Sequence, residues 1–183
     1  MRNVIYGINL SADGCCDHTK FTGGKDIHEY FTRLMQDVDL IAYGRKTYEL
    51  MVPYWPDVAQ SGSGTQSENE FARVFTAIDK IVFSRSLDSA ESNTRIVRTD
   101  LRDEIRKLKQ EPGGKISIGG VSLPEQLIAL DLVDEFYFVV HPVVVGEGRR
   151  LLENTRLQEL LHLKLAGSEM LQSGCIALHY LKR

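Results

Sequence analysis

Short apolar runs, each ending in glycine or a small polar residue, alternate along this 183-residue chain with segments of helical periodicity, and this alternation restricts the fold more than any other feature. The runs with strand character cover residues 4–10, 40–43, 79–84, 95–98, 115–118 and 135–145. Between them, apolar residues recur at spacings of three and four, as at Ile27, Phe31 and Leu34. This order predicts βαβ units and a mixed, mostly parallel sheet with helices on both faces.

Helices are expected within residues 25–37, 44–51, 71–75, 101–108 and 122–132. The stretch from Val52 to Asn69 holds two prolines and a Ser/Gly segment, and it predicts a surface loop, a candidate lid. Ser122 followed by Glu125 predicts a capping box at the start of the last helix. Near the end of the chain, apolar and polar residues alternate over 161–165 and 176–180, which predicts an antiparallel hairpin.

Composition excludes several classes of protein. The chain is 43% hydrophobic and 26% charged, as expected for one globular domain that covers residues 1–183. Its net charge of -3 argues against a nucleic-acid partner, and no apolar run is long enough to span a membrane. Three cysteines, two of them adjacent, do not form a disulfide framework. We therefore expect a cytoplasmic protein that acts on a small molecule, with no metal site.

Three strand ends have the composition of a phosphate site: Tyr43–Thr47, Phe83–Ser86 and Ile118–Ser122. Glycine allows a close backbone approach, a helix N-terminus supplies free N–H groups, and arginine supplies a bidentate donor. For any one segment taken alone, a turn glycine and a solvated arginine are the better explanation, and the Rossmann and P-loop fingerprints are absent. Together the three favour a dinucleotide. Gly146–Arg150 is similar in composition, but a hairpin turn with exposed arginines explains it better.

Two related families match these segments. Gly44–Glu49, after an apolar strand, resembles the cofactor segment of dihydrofolate reductases, and Lys80–Arg85 resembles their next strand. The chain resembles more closely the reductase domain of the riboflavin pathway, the RibD C-terminal family, in its stand-alone bacterial form. The segments that carry this resemblance are Ser11–Gly14, Pro53–Pro56, Ile118–Gly120, Leu132–Glu135, His141–Pro142, Gly146–Gly148 and Leu151–Leu152. The resemblance implies a dihydrofolate reductase-like α/β/α fold of three layers.

The resemblance also implies a function and a cofactor site. The implied activity is NADPH-dependent hydride transfer to a small heterocycle, similar to that of 5-amino-6-(5-phosphoribosylamino)uracil reductase. The alternatives are dihydrofolate reductase activity and a non-catalytic nucleotide sensor. A homodimer is implied as well. The residues assigned to the cofactor by this resemblance are Ala12, Gly44, Arg45, Thr47, Ser84, Arg85, Gly119, Gly120, Val121 and Ser122.

Catalytic and substrate residues are harder to assign from the sequence. Asp13 is the first candidate for catalysis and substrate contact, although an Asp-Gly turn is an equal explanation. Glu29 is a second catalytic candidate, with a solvated helix position as its alternative. Trp55 and Asp134 are candidates for substrate contact, and their alternatives are a packing anchor and a strand start. The acidic residue that precedes Gly-Gly in riboflavin-pathway reductases is replaced here by Ile118.

Overall fold

One sheet of eight strands, in the order β4-β3-β2-β5-β1-β6-β8-β7, forms the centre of the fold. The computed structural model describes residues 1–21, 23–153 and 155–183, without the side chain of His18. The strands are β1 (Val4–Ser11), β2 (Val38–Gly44), β3 (Asp79–Phe83), β4 (Thr94–Val97), β5 (Lys115–Ile118), β6 (Glu135–His141), β7 (Leu163–Met170) and β8 (Ile176–Lys182). The α-helices are α1 (Lys25–Leu34), α2 (Arg45–Ser61), α3 (Gln66–Ala77), α4 (Leu101–Gln110) and α5 (Ser122–Ala129).

The direction of the strands determines where a ligand can bind. β1 to β6 all run parallel to one another, whereas β8 is antiparallel to both β6 and β7. This sheet, mostly parallel with a C-terminal antiparallel hairpin, confirms the predicted fold class. The carboxyl ends of β1 to β6 therefore meet at one end of the sheet, which we call the carboxyl end, opposite the amino end. Parallel α/β sheets bind their ligands beyond the carboxyl ends of the strands.

Helices cover both faces of the sheet and complete three layers. On one face, α4 and α5 pack against a core that includes Tyr6, Ile118 and Leu127, each at most 1% exposed. On the other face, α2 and α3 pack against Ile5 and Ile41. Alternate residues of the central strands point to opposite faces, so both faces of these strands are buried and their sequences read as continuous apolar runs.

The predicted surface loop over Val52–Asn69 is wrong, because this stretch belongs to two helices. α2 continues to Ser61 with Pro53 and Pro56 inside it, and Gly62 ends the helix in the left-handed region at a φ of 62°. Thr65 then begins α3 with a full capping box. Each proline removes one N–H from the helix ladder. The burial of apolar residues offsets this loss; the buried residues of α2 are Tyr48, Val52 and Val58.

Two further local predictions are wrong. The strand predicted over 135–145 ends at His141, because Pro142 has no N–H to donate and the Val145 N–H donates to the Asp13 carboxylate instead. The capping box predicted at Ser122 does not form. The N-cap of α5 is Val121, and the Ser122 hydroxyl, already inside the helix, accepts a hydrogen bond from Arg149. No helix of the described residues is long and apolar enough to cross a membrane.

Candidate functional site

The N-termini of α2 and α5 lie at the carboxyl end of the sheet, and neither has a side-chain cap. Their N-cap residues are Gly44 and Val121, and neither side chain accepts a hydrogen bond from the helix. In contrast, Thr65 caps α3 and Asp100 caps α4. The first N–H groups of a helix have no acceptor within the helix. α2 and α5 therefore present N–H donors and the positive ends of their helix dipoles to an anion.

Two adjacent glycines allow these helix N-termini to approach each other. A Cβ on Gly119 would lie 2.4 Å from Cε1 of Tyr43, and a Cβ on Gly120 would lie 2.1 Å from Oγ1 of Thr47. Gly120 also has a φ of 82°, which disfavours any other residue. The Tyr6 hydroxyl donates a hydrogen bond to the Gly120 carbonyl at 2.8 Å and holds this turn in place. Glycine is thus required here by close contact as well as by backbone conformation.

The end of β3 extends the same surface. Phe83 pairs with Gly44 in the sheet, so Ser84 and Arg85 emerge beside the start of α2. The Ser84 hydroxyl accepts from the N–H of Ser86 at 3.2 Å and of Leu87 at 3.0 Å, which shapes a tight turn. Arg85 is exposed. The sequence did not indicate Arg98, which donates to the Ser84 carbonyl at 3.1 Å and holds this turn in place.

Asp13 follows β1 at the carboxyl end, where its carboxylate already has several partners. It accepts from the Ser11 hydroxyl at 2.6 Å and from the N–H groups of Val145 at 3.1 Å and Gly146 at 2.8 Å. These hydrogen bonds hold the pKa of Asp13 well below its ordinary value. The carboxylate stays ionised at neutral pH, and its contacts favour the anchoring of the loop after β6 over proton donation.

The sequence interpretation of Gly146–Arg150 as a hairpin turn is wrong. Residues 142–150 instead cross from β6 to the turn after β1, and Cys15 pairs with Arg150 in an isolated antiparallel bridge. Arg150 donates to the carbonyl of Asp13 and lies 3.6 Å from its carboxylate. Arg149 donates to the Ser122 hydroxyl at 3.0 Å. Both arginines thus lie at the carboxyl end. In the sequence, the glycines and arginines of Gly146–Arg150 were the feature that could have indicated this position.

An aromatic cluster lies on the helical face beside this end. Trp55 is packed edge-on against Phe71 of α3, with ring centroids 4.6 Å apart, and lies 5.8 Å from the ring of His28 in the first turn of α1. Burial lowers the pKa of His28. Trp55 is half-buried, so it packs between helices and still has exposed surface. Glu29, one residue further along α1, lies 3.7 Å from Lys25 with 45% of its side chain exposed, as expected for a surface ion pair.

Asn9 and His141 form a polar pair at the carboxyl end, on the neighbouring strands β1 and β6. Nε2 of His141 lies 3.0 Å from Oδ1 of Asn9, and its ring stacks on Phe21 at 4.6 Å. His141 is buried, and burial lowers its pKa. The sequence interpretation of His141 as a satisfied core residue agrees with these contacts.

Asp134 does not lie with the other predicted site residues. It precedes β6 at the amino end of the sheet, where its carboxylate accepts from the Val4 N–H at 2.7 Å and pairs with Lys109. A substrate role for Asp134 in a site at the carboxyl end is therefore wrong.

Two cavities, of about 430 and 580 Å³, open at the amino end of the sheet. Some charged residues that line them are paired with each other, as Arg2 is with Asp39 and Lys115 with Glu135, whereas the helix N-termini without side-chain caps lie at the carboxyl end, so we place the candidate site there.

Comparison with known proteins gives the same family along the whole chain. The family model of the RibD C-terminal domain matches residues 2–177. The uncharacterized protein YyaP of Bacillus subtilis (strain 168) is 32% identical over 189 aligned residues, which cover 98% of this chain and 94% of that protein. The uncharacterized protein YwjB of the same organism is 29% identical over 191 aligned residues, which cover 99% of this chain and 98% of that protein.

Solved structures share the fold at low sequence identity. A putative riboflavin biosynthesis protein from Shewanella sp. PV-4 aligns with a TM-score of 0.71 at 19% identity, over 100% of this chain and 99% of that one. A pyrimidine reductase-like protein from Corynebacterium diphtheriae gives 0.66 at 13% identity, over 100% and 92%. RibD of Acinetobacter baumannii gives 0.67 at 14% identity, over 100% of this chain and 58% of that one.

Proposed function

Because the chain belongs to the RibD C-terminal domain family, a family of riboflavin-biosynthesis-type reductases, we propose that it is an NADPH-dependent reductase of a small heterocyclic substrate. One observation supports this proposal more than any other. The N-termini of α2 and α5, both without side-chain caps, lie close together where Gly120 contacts Thr47. Such paired donors suit the pyrophosphate of a dinucleotide better than a single phosphate.

Residues at the carboxyl end would contact successive parts of NADPH. Gly44, Arg45 and Thr47 would hold the pyrophosphate from the α2 side, and the backbone of Gly119–Ser122 would hold it from the α5 side. Ser84 and Arg85 would hold the 2′-phosphate. Arg45 is exposed and lies 3.8 Å from Glu49, a weak pair that leaves its charge accessible. When bound, NADPH would supply a hydride, and the protein's main contribution would be its orientation relative to the substrate.

The substrate would lie beside β1 and α1, between Ala12, Asn9 and His141 on one side and Trp55 on the other. Asp13 would position the loop after β6 and does not act as the acid, because its hydrogen bonds keep it ionised. Ile118, at the position where riboflavin-pathway reductases carry an acidic residue, is 1% exposed in the apolar core. We therefore propose a substrate that resembles the riboflavin intermediate in its ring and does not need this carboxylate.

NADPH titration and turnover separate the possible functions. We expect NADPH to quench the fluorescence of Trp55, the single tryptophan, and to be oxidised in the presence of one member of a pterin and pyrimidine panel. Turnover of dihydrofolate alone would support dihydrofolate reductase activity. Binding of NADPH without oxidation across the panel would support a nucleotide sensor, which the substitution at Ile118 allows. A folded sample with no affinity for NADPH would refute the proposal.

Arg85→Ala tests the assignment of the 2′-phosphate. We expect this variant to weaken NADPH binding about 10-fold and NADH binding by less than twofold, because a charge-assisted hydrogen bond to phosphate is lost only for NADPH. Arg73→Ala, at an exposed position of α3, is the matched control and should change neither dissociation constant. Equal losses for the two nucleotides would remove Arg85 from the site.

We further propose that the protein is a cytoplasmic homodimer. The three cysteines are free and buried, as suits a reducing compartment. The C-terminal hairpin exposes apolar side chains that a second copy would cover; they include Leu165 at 52%, Met170 at 81% and Ile176 at 45% exposure. Light scattering of the purified protein should give twice the mass of one chain. Met170→Lys should shift the species to a monomer, and a monomeric wild type would refute the dimer.

A further inference from the structure

The loop after β6 holds the backbone of Arg149 in a fixed position. The Ala12 N–H donates to the Val143 carbonyl and the Cys16 N–H donates to the Arg149 carbonyl, both at 2.8 Å. The Cys16 thiol also lies 3.2 Å from this carbonyl. Two stretches of the chain that are more than a hundred residues apart are thereby joined at the carboxyl end. Arg149 is consequently anchored beside the site and is not at the tip of a free hairpin.

The side chain of Arg149 reaches the first turn of α5. Its Nη2 donates to Oγ of Ser122 at 3.0 Å and lies 3.7 Å from Oε2 of Glu125. A guanidinium has five N–H donors. In Arg149 these contacts involve only Nη2, and 41% of the side chain remains exposed. Donors are therefore accessible to a ligand that binds at the N-terminus of α5.

Glu125 is the counter-charge that keeps Arg149 at this helix. Its side chain is only 5% exposed, and within the described residues its buried Oε1 has no hydrogen-bond partner. A buried carboxylate is costly unless a charge lies close to it. Arg149 supplies that charge through Oε2. The carboxylate would otherwise repel any anion at the same N-terminus, so Arg149 has to neutralise Glu125 before a phosphate can bind there.

We propose that Arg149 contacts a phosphate of the dinucleotide at the N-terminus of α5 and that Glu125 positions it. This inference rests on the proposed function and extends its cofactor site by a residue pair that the family resemblance did not assign. The phosphate would meet the N–H groups of α5, the positive end of its dipole and the guanidinium of Arg149. A phosphorylated substrate carries the same chemistry, so the experiment has to separate the two sources.

Arg149→Met is the first test. We expect the dissociation constant for NADPH, measured by fluorescence titration, to rise about 10-fold, and competition by inorganic pyrophosphate to weaken to a similar extent. Arg149→Lys keeps the positive charge but loses the paired N–H donors of the guanidinium, so it should bind NADPH more tightly than Arg149→Met and less tightly than the wild type. Arg106→Met, at an exposed position of α4, is the control and should leave NADPH binding unchanged. Circular dichroism and thermal unfolding check that each variant is folded.

Glu125→Gln tests the coupling between the two residues. In the Arg149→Met background it removes a negative charge that has lost its partner, so we expect it to restore NADPH affinity several-fold. With Arg149 present, the same change removes the ion pair that holds the guanidinium at α5, and this loss of positioning should outweigh the relief of repulsion and weaken binding. A purely structural role of Glu125 would shift the dissociation constant in the same direction in both backgrounds and would overturn the positioning role.

The outcomes separate this inference from the function on which it rests. A wild-type protein that does not bind NADPH contradicts the proposed function. A wild-type protein that binds NADPH, together with an Arg149→Met variant that binds within twofold of it, contradicts the inference alone. If that variant keeps NADPH affinity but loses binding of inorganic phosphate that does not compete with NADPH, the arginine serves a phosphorylated substrate and the proposal is overturned.

Discussion

Gly120 shows how closely one residue can be constrained by the site around it. Its φ of 82° is costly for other residues, and a Cβ would lie 2.1 Å from Oγ1 of Thr47. We expect Gly120→Ala to lower the free energy of unfolding by about 3 kcal/mol, as backbone strain and overpacking add, and to abolish measurable NADPH binding. Urea unfolding and NADPH titration measure the two effects.

Gly62→Ala is the matched control for Gly120→Ala. Gly62 also has a positive φ, of 62°, but a Cβ there would have no heavy atom within 4 Å. This change should cost only about 1 kcal/mol, from backbone strain alone, and should leave NADPH binding intact. If both variants lose the same stability and both bind NADPH, the contact between Gly120 and Thr47 has no role in the site.

Some site residues were predictable from the sequence, and others depended on contacts far along the chain. Gly44, Arg85 and Gly120 follow strand-like runs, so a parallel sheet brings them to the same end. Arg149 and Asp13 were harder to interpret, because their roles depend on the crossing of the loop after β6 to the turn after β1, more than a hundred residues away. No local pattern specifies such a pairing.

The helices of the described residues differ in whether a side chain caps their N-terminus. Among the described helices, α3 and α4 have side-chain caps, whereas the N-termini of α1, α2 and α5 have none; of these three, α2 and α5 are the ones that meet where Gly120 contacts Thr47. Gly44, the N-cap of α2, already has the extended backbone of a capping residue, and a Cβ there would lie 3.9 Å from Cβ of Leu123, an ordinary contact. A capping side chain therefore fits at Gly44 without strain.

We expect Gly44→Asp to stabilise the fold and to weaken cofactor binding. The new carboxylate would cap α2 and interact with its dipole, which should raise the free energy of unfolding by about 0.5 kcal/mol. The same charge would occupy the place proposed for the pyrophosphate and should raise the dissociation constant for NADPH at least 10-fold. Gly44→Asn, which caps without charge, should weaken binding less. Equal NADPH affinity for the Asp and Asn variants would contradict a phosphate at this N-terminus.

The helix α2 also shows where interpretation of the sequence failed. Pro53 and Pro56 argue against a helix interior, although Tyr48, Val52 and Trp55 recur at helical spacing. The packing of these side chains on α3 is a tertiary effect and decides the conformation. Two overlooked signals mark the boundaries of the helices: Gly62 after the end of α2, and the capping pair Thr65 and Glu68 at the start of α3.

The two ends of the sheet differ in how their polar and charged groups are used. At the carboxyl end, helix N-termini and arginines remain available to a ligand. At the amino end, several charged groups are paired with each other: Arg2 with Asp39, Lys109 with Asp134, and Lys115 with Glu135, which is 4% exposed. Oε1 of Glu135 accepts from Asn3 at 2.7 Å, and Oε2 accepts from Tyr137 at 2.5 Å and from Lys115 at 3.1 Å. The two ends are about 20 Å apart along a strand of seven residues, so a substitution at the amino end should change stability without changing binding.

Glu135 should make the stability of the whole fold depend on pH in the acid range. Burial alone would raise its pKa, but hydrogen bonds from Tyr137, Asn3 and Lys115 outweigh burial and lower the pKa to about 2. Between this value and the ordinary value of 4.5 the native state binds fewer protons than the unfolded chain. The carboxylate therefore contributes about 3 kcal/mol above pH 4.5, and this contribution is lost as the pH falls toward 2.

Glu135→Gln removes this contribution without changing the size of the side chain. Urea unfolding should show the variant about 3 kcal/mol less stable than the wild type at pH 7. The gap should close as the pH falls from 4.5 toward 2, because the unfolded wild-type chain then binds a proton that its native state does not. NADPH affinity at pH 7 should stay within twofold, since the network lies at the opposite end from the helix N-termini. Glu70→Gln, at an exposed position of α3, should give no such gap. A stability difference that stays constant down to pH 3 would mean that the Glu135 charge contributes nothing to folding and that only its hydrogen-bond geometry matters.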